Sequence, residues 1–134
     1  MSTLPPPTMP RRAILALALV ALCACSTQVE LRMAAQQEQF GREAASQGDW
    51  AQALRSYAAA AKNVELGHGD AAWQARLHDL AGRAASAACR DEAAKSHFRN
   101  AIALARQDGQ APAPGDKEVM DRYQRQARAC GAGD

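Results

Sequence analysis

Residues 40–60, FGREAASQGDWAQALRSYAAA, decide the architecture. Phe40 and Ala44 close one helical stripe. Gly48-Asp49 is then a stop followed by a start: Gly suits the residue just past a helix, and Asp49 can cap the next one. Gln52, three residues on, completes a capping-box pattern. Ala53, Leu54, Tyr57, Ala60, Ala61 and Val64 fall at helical spacing and form one face of a second helix. The stretch therefore reads as an antiparallel helix hairpin.

Toward the N-terminus, Leu31, Ala34 and Ala35 carry the first stripe back to Val29. Toward the C-terminus, Gly67-His68-Gly69 breaks the second helix, and Asp70 caps a third bearing Trp73, Leu77, Leu80, Ala81, Ala84 and Ala88. A turn near Cys89-Arg90 precedes a fourth helix, with Asp91 and Glu92 at its positive end and Ala94, Phe98, Ala101, Ile102 and Ala105 on its apolar face. Residues 107–115 hold two Pro and two Gly and read as a loop. Asp116 caps a fifth helix, about 116–130, carrying Val119, Met120, Tyr123 and Ala127; residues 131–134 are a tail. Composition agrees. Alanine fills 33 of 134 positions and aromatics only 4%, which favours helix over sheet. The expectation is an all-α chain of about five helices, with one domain over residues 29–130.

A shift of 41 residues superposes the pattern on itself. Gly41 falls on Gly82, Ala53 on Ala94, Tyr57 on Phe98 and Ala60 on Ala101. This resembles the tetratricopeptide repeat. That family places a bulky residue and Gly in helix A, a turn, and then Ala, an aromatic and Ala in helix B. Phe40-Gly41, Gly48, Ala53, Tyr57 and Ala60 match the first unit. Gly82, Ala94, Phe98 and Ala101 match the second, with Ala81 and Cys89 standing where the bulky residue and turn Gly belong. The resemblance implies two TPR-like antiparallel hairpins, about 34–66 and 75–107, with 116–130 as a capping helix. It departs from the family in period, seven longer than the usual ~34, and no Pro closes either unit. Small residues let helix backbones approach, and the aromatic fills the wedge between hairpins. Two repeats are few, so the capping helix, a Cys89–Cys130 bond, self-association or a partner is expected to add stability. A four- or five-helix bundle without a repeat is the alternative.

The N-terminus reads as an address. Arg11-Arg12 precede an unbroken apolar run from Ala13 to Leu22. Ten helical residues span roughly 15 Å, half a bilayer's hydrocarbon core, so the run suits an export signal rather than a permanent span. Leu22-Cys23-Ala24-Cys25 resembles the lipobox of bacterial lipoproteins. The resemblance implies removal of residues 1–24 as a signal peptide, lipidation of Cys25, and a short tether at 25–28. Three fatty chains exceed the two signals that stable anchoring needs. Ser26, where retained lipoproteins carry Asp, implies the outer membrane, periplasmic face; an inner-membrane lipoprotein, or a soluble periplasmic protein cut near Ala24, are the alternatives. The mature chain, Cys25 to Asp134, has 110 residues and 14 charges of each sign. That balance excludes the basic footprint of a nucleic-acid binder. Cys89 and Cys130 then form an even pair, a disulfide candidate in an oxidising compartment.

No catalytic, cofactor or metal pattern is found. Adjacent His78 and Asp79 point about 100° apart on a helix, and no histidine pair has i, i+4 spacing. His68, His78 and His97 read as solvated helix-face residues. A binding groove is the better expectation. The tetratricopeptide resemblance carries inner-surface positions onto Glu38, Arg42 and Ser46 in the first unit and Arg76, Asp79, Arg83 and Ser86 in the second. Glu38/Arg42 and Asp79/Arg83 are i, i+4 pairs at one repeat phase, readable as helix stabilisers or as a mixed-charge groove gripping a peptide carboxylate. Trp50 and Trp73 are partner anchors or hairpin packing. The expected function is a non-catalytic outer-membrane scaffold or adaptor for another envelope protein, an assembly or secretion accessory factor. A small envelope enzyme, or a homodimeric structural or immunity-type lipoprotein, are the rivals.

Overall fold

The computed structural model describes residues 11–107, with side chains from Ser26 onward, together with Gly109, Asp121, Arg125 and Cys130. The described residues are all-α: α1 (Arg11–Ser46), α2 (Trp50–Leu66), α3 (Ala71–Ala87) and α4 (Asp91–Gln107). The fifth helix expected over 116–130 and the tail 131–134 lie outside the described residues, apart from Asp121, Arg125 and Cys130, which are helical. Residues 1–10 of the expected signal segment lie outside them too.

α1 runs unbroken for 36 residues, and the tether expected at 25–28 is helical within it. The cause is local: no Gly or Pro stands between Arg11 and Phe40, so nothing in that stretch stops a helix. Among the described residues, no helix is long and apolar enough to cross a membrane.

The three turns share one hydrogen-bond scheme. After α1, Gly48 N–H donates to Ala45 O at 3.1 Å and Asp49 N–H to Ala44 O at 2.9 Å. After α2, His68 donates to Glu65 O at 3.1 Å and Gly69 to Val64 O at 2.8 Å; after α3, Cys89 donates to Ser86 O at 3.1 Å and Arg90 to Ala85 O at 2.8 Å. Each turn places one residue in the left-handed region: Gly48 at φ 75°, His68 at 50° and Cys89 at 54°. Only Gly48 avoids the Cβ penalty of that conformation. In Gly67-His68-Gly69 the left-handed residue is thus the histidine, not either glycine. Asp49 caps α2 by accepting from Gln52 N–H at 3.0 Å, and Asp70 caps α3 by accepting from Ala72 and Trp73 N–H at 2.6 and 3.0 Å. The capping box stays half made. Gln52 turns its amide to Ser56 Oγ at 3.3 Å, because the Schellman turn already engages Asp49 N–H.

α1 packs on α2, α2 on α3, and α3 on α4. The core is mostly alanine: Ala34, Ala53, Ala60, Ala81, Ala85 and Ala94 have no exposed surface, and Leu77 and Val64 are the largest fully buried side chains. Such a core gains little per side chain and depends on close backbone approach. Two glycines provide it. A Cβ on Gly41 would lie 2.6 Å from Tyr57 Cε1, and one on Gly82 would lie 2.7 Å from Phe98 Cε1. Both hairpins thus put an aromatic ring edge on a helical glycine, 41 residues apart. Ala53 and Ala94 are equally buried, whereas Ala60 is buried and Ala101 half-buried. A disulfide joins Cys89 to Cys130, with Cα atoms 5.7 Å apart, so the chain beyond Gln107 returns to the α3–α4 turn.

Candidate functional site

Three of the seven residues expected on the first and third helices, Glu38, Arg42 and Arg76, meet at one carboxylate. Glu38 sits on the face of α1 turned toward α3 and is only 6% exposed. Its Oε2 accepts from Trp73 Nε1 at 2.7 Å, its Oε1 from Arg76 Nη2 at 3.2 Å, and it is also bound by Arg42 one turn along α1. Burial alone would raise the Glu38 pKa; the Trp73 and Arg42 hydrogen bonds and the charges of Arg76 and Arg42 outweigh it and hold the group below the usual carboxylate value. Trp73 is therefore neither a free anchor nor plain packing: its ring packs against the core while its N–H orients the carboxylate.

Arg42 and Arg76 keep 58% of their side-chain surface exposed while anchored at Glu38. Along α3, Arg83 binds Asp79 at 2.8 Å and is 59% exposed. Arg42 and Arg76 thus form a short row on Glu38, and Arg83 holds a second carboxylate about two turns further along α3. Held planar by one partner, a guanidinium still has N–H donors for a second carboxylate. The two serines stand apart from the row. Ser46 Oγ donates to Glu43 O at 2.7 Å at the end of α1, and Ser86 is buried. Trp50, at the start of α2, is 40% exposed.

Replacing Glu38 with Gln keeps its shape and removes its charge. It is expected to cost about 1–3 kcal/mol, as a buried charged hydrogen-bond network loses its centre. Asp79→Asn removes a solvated helix pair and is expected to cost well under about 1 kcal/mol. Urea unfolding of both variants checks this; equal losses would mean that Glu38 is not the hub.

A second polar feature lies between α3 and α4. His78 and His97 approach with Nδ1 atoms 2.9 Å apart and ring centroids 5.2 Å apart. The centroid distance is the nitrogen separation plus one ring radius at each end, so the two nitrogens meet head-on. That is the geometry of one N–H donating to one lone pair, rather than of two lone pairs converging on an ion. Both rings are half-buried, against the expectation of solvated residues. His78 also lines an open cleft of about 290 Å³ with Glu65, Gln74, Asn100, Ala103 and Leu104. Among the described residues no three His, Cys, Asp or Glu groups are placed to hold a metal ion. Sequence spacing could not reveal the pair, because its partners lie on different helices, 19 positions apart.

Burial lowers both histidine pKa values; the charge of His97 adds to the effect at His78, and Glu65 opposes it there. The stabilisation from keeping the rings neutral is fully present above the unfolded histidine value of about 6.5 and is lost as pH falls below it toward the depressed folded values. Stability is thus expected to drop between about pH 7 and 5, and less in His78→Gln. Urea midpoints across that range, flat for both proteins, would contradict this.

The chain's own geometry has to carry any functional reading. Comparison with protein-family models, with curated proteins and with solved structures yields no match for this chain.

Proposed function

We propose that this chain is a lipid-anchored envelope adaptor of bacteria, without catalysis of its own, that holds a partner protein through a carboxylate. In this reading residues 1–24 are removed, Cys25 carries the lipid, and the domain faces the periplasm from the outer membrane. The hairpins over 34–66 and 75–107 are successive TPR-like units, with 116–130 as a cap.

Four recurrences at an offset of 41 residues support the repeat reading: the glycine–aromatic contacts Gly41–Tyr57 and Gly82–Phe98, the left-handed turn residues Gly48 and Cys89, the buried Ala53 and Ala94, and the ion pairs Glu38–Arg42 and Asp79–Arg83. The observation that carries the adaptor reading is the arginine row. Arg42 and Arg76 are fixed from below by a buried carboxylate and left more than half exposed above it. Fixing the guanidinium groups beforehand lowers the ordering cost of binding.

Crosslinking in intact cells, followed by identification of what is captured, tests this. The wild type is expected to capture one envelope protein reproducibly. Arg42→Ala/Arg76→Ala should reduce the yield by roughly tenfold or more, since each guanidinium removed takes at least one charge-assisted hydrogen bond with it. Capture unchanged by that variant would overturn the groove. In the same cells Cys25→Ala is expected to move the protein from the membrane to the soluble fraction, and retention would count against lipidation.

A further inference from the structure

The contacts of α1 also fix which end of the bundle faces the lipid, a deduction that rests on the Cys25 anchor proposed above. We infer that the α2–α3 turn, with Leu66 at its margin, lies against the bilayer surface, and that the α1–α2 and α3–α4 turns point away from it.

The register of α1 carries the inference. A Cβ on Gly67 would lie 3.1 Å from Thr27 O and 2.8 Å from Leu31 Cδ2, and one on Gly69 would also lie 2.8 Å from Leu31 Cδ2. The α2–α3 turn therefore rests on the part of α1 that begins at Thr27. Cys25 is two residues earlier, about 3 Å along the helix axis. Acyl chains on that sulfur bring the headgroups to the turn itself. α1 then climbs from Thr27 to Ser46, about 28 Å at 1.5 Å per residue. At that far end stand the turn around Gly48 and, at the matching position of the second hairpin, Cys89 with its disulfide.

Surface character agrees with that polarity. Val29 and Leu66, 52% and 50% exposed, are the two most exposed large apolar side chains of the described fold, and both belong to the Thr27 end. Lys62 and Glu65 near this end pair with each other at 2.8 Å, and Glu30, Arg32, Asp70 and Arg106 add two charges of each sign. The end is thus not basic, and salt should not release it. Glu38 and Arg42 lie 11 and 15 residues up α1 from Thr27, about 16 and 22 Å from the lipid. The arginine row is clear of the headgroups and open to a periplasmic partner.

Two single-cysteine variants of the full chain, Leu66→Cys and Gln47→Cys, test the orientation, with the native disulfide intact and an environment-sensitive fluorophore on the new thiol. Each is purified from membranes and reconstituted in phosphatidylethanolamine/phosphatidylglycerol vesicles carrying brominated acyl chains. The label at 66 is expected to be quenched by the bromine and reduced several-fold more slowly by aqueous dithionite than the label at 47. Mass measurement of the same preparations reports the acyl chains on Cys25. Acylated protein with equal or reversed labelling patterns overturns the orientation and leaves the anchor standing. An unmodified N-terminus overturns both. Shielding at 66 that persists in lipid-free Cys25→Ala protein means that a second copy covers the turn, and it also overturns the inference.

Discussion

Cys130→Ser is expected to cost the domain about 3–4 kcal/mol, the loop-closure stabilisation of a bond spanning roughly 40 residues. An alanine core with few large side chains has little reserve to absorb that loss. The same site makes a second, opposite expectation. Cys89 sits at φ 54°, where the matching residue of the first hairpin is Gly48 at 75°. A Cβ in that region costs about 1 kcal/mol or more, and the disulfide is what justifies it. With the bond already removed, Cys89→Gly in the Cys130→Ser background should recover about 1 kcal/mol. Urea unfolding of the three proteins under oxidising conditions measures both steps. A further loss on adding Cys89→Gly would mean that the thiol packs on its own account.

Gly41→Leu is expected to destabilise by about 1–3 kcal/mol, and Gly82→Leu by a similar amount. At each position the first atom added already lies under 3 Å from the edge of a packed ring, Tyr57 or Phe98, and a ring cannot fold away as a flexible chain end does. Helix propensity works the other way, by about 1 kcal/mol in favour of Leu over Gly. A net loss therefore reports the contact and not the helix. Double-mutant cycles separate the two contributions. Tyr57→Ala should remove most of the penalty of Gly41→Leu, and Phe98→Ala most of that of Gly82→Leu, with coupling of about 0.5–3 kcal/mol in each cycle. Coupling in one hairpin and none in the other would mean that the two units are not equivalent.

Features legible in the sequence are those set by neighbours a few positions apart. Asp49 and Asp70 announce their helices because an N-cap is a local hydrogen bond, and Gly41 with Tyr57 announces a hairpin because one short turn fixes their register. What escaped lies farther apart along the chain. Glu38 reads as a surface partner of Arg42, and nothing local indicates that Trp73, 35 positions on, donates to it from another helix. His78 and His97 look solvated one helix at a time and meet only when α3 and α4 pack. The left-handed turns at His68 and Cys89 were hidden for another reason: Cys89 does not favour that conformation, His68 stands between two glycines that favour it more, and the turn's hydrogen bonds impose it. The long α1 carries its own lesson. A segment rich in Ala and Leu is a good helix former, so the boundary expected before Cys25 leaves no mark on the backbone.

The most direct measurement is the intact mass of the protein extracted from membranes of cells making the full chain. A 110-residue chain beginning at Cys25, heavier by a lipid group carrying three acyl chains and lighter by the two hydrogens lost in forming the Cys89–Cys130 bond, is the expected result. A chain with a free, unmodified N-terminus, or one that still carries Arg11 and Arg12, would contradict the anchored adaptor at its base.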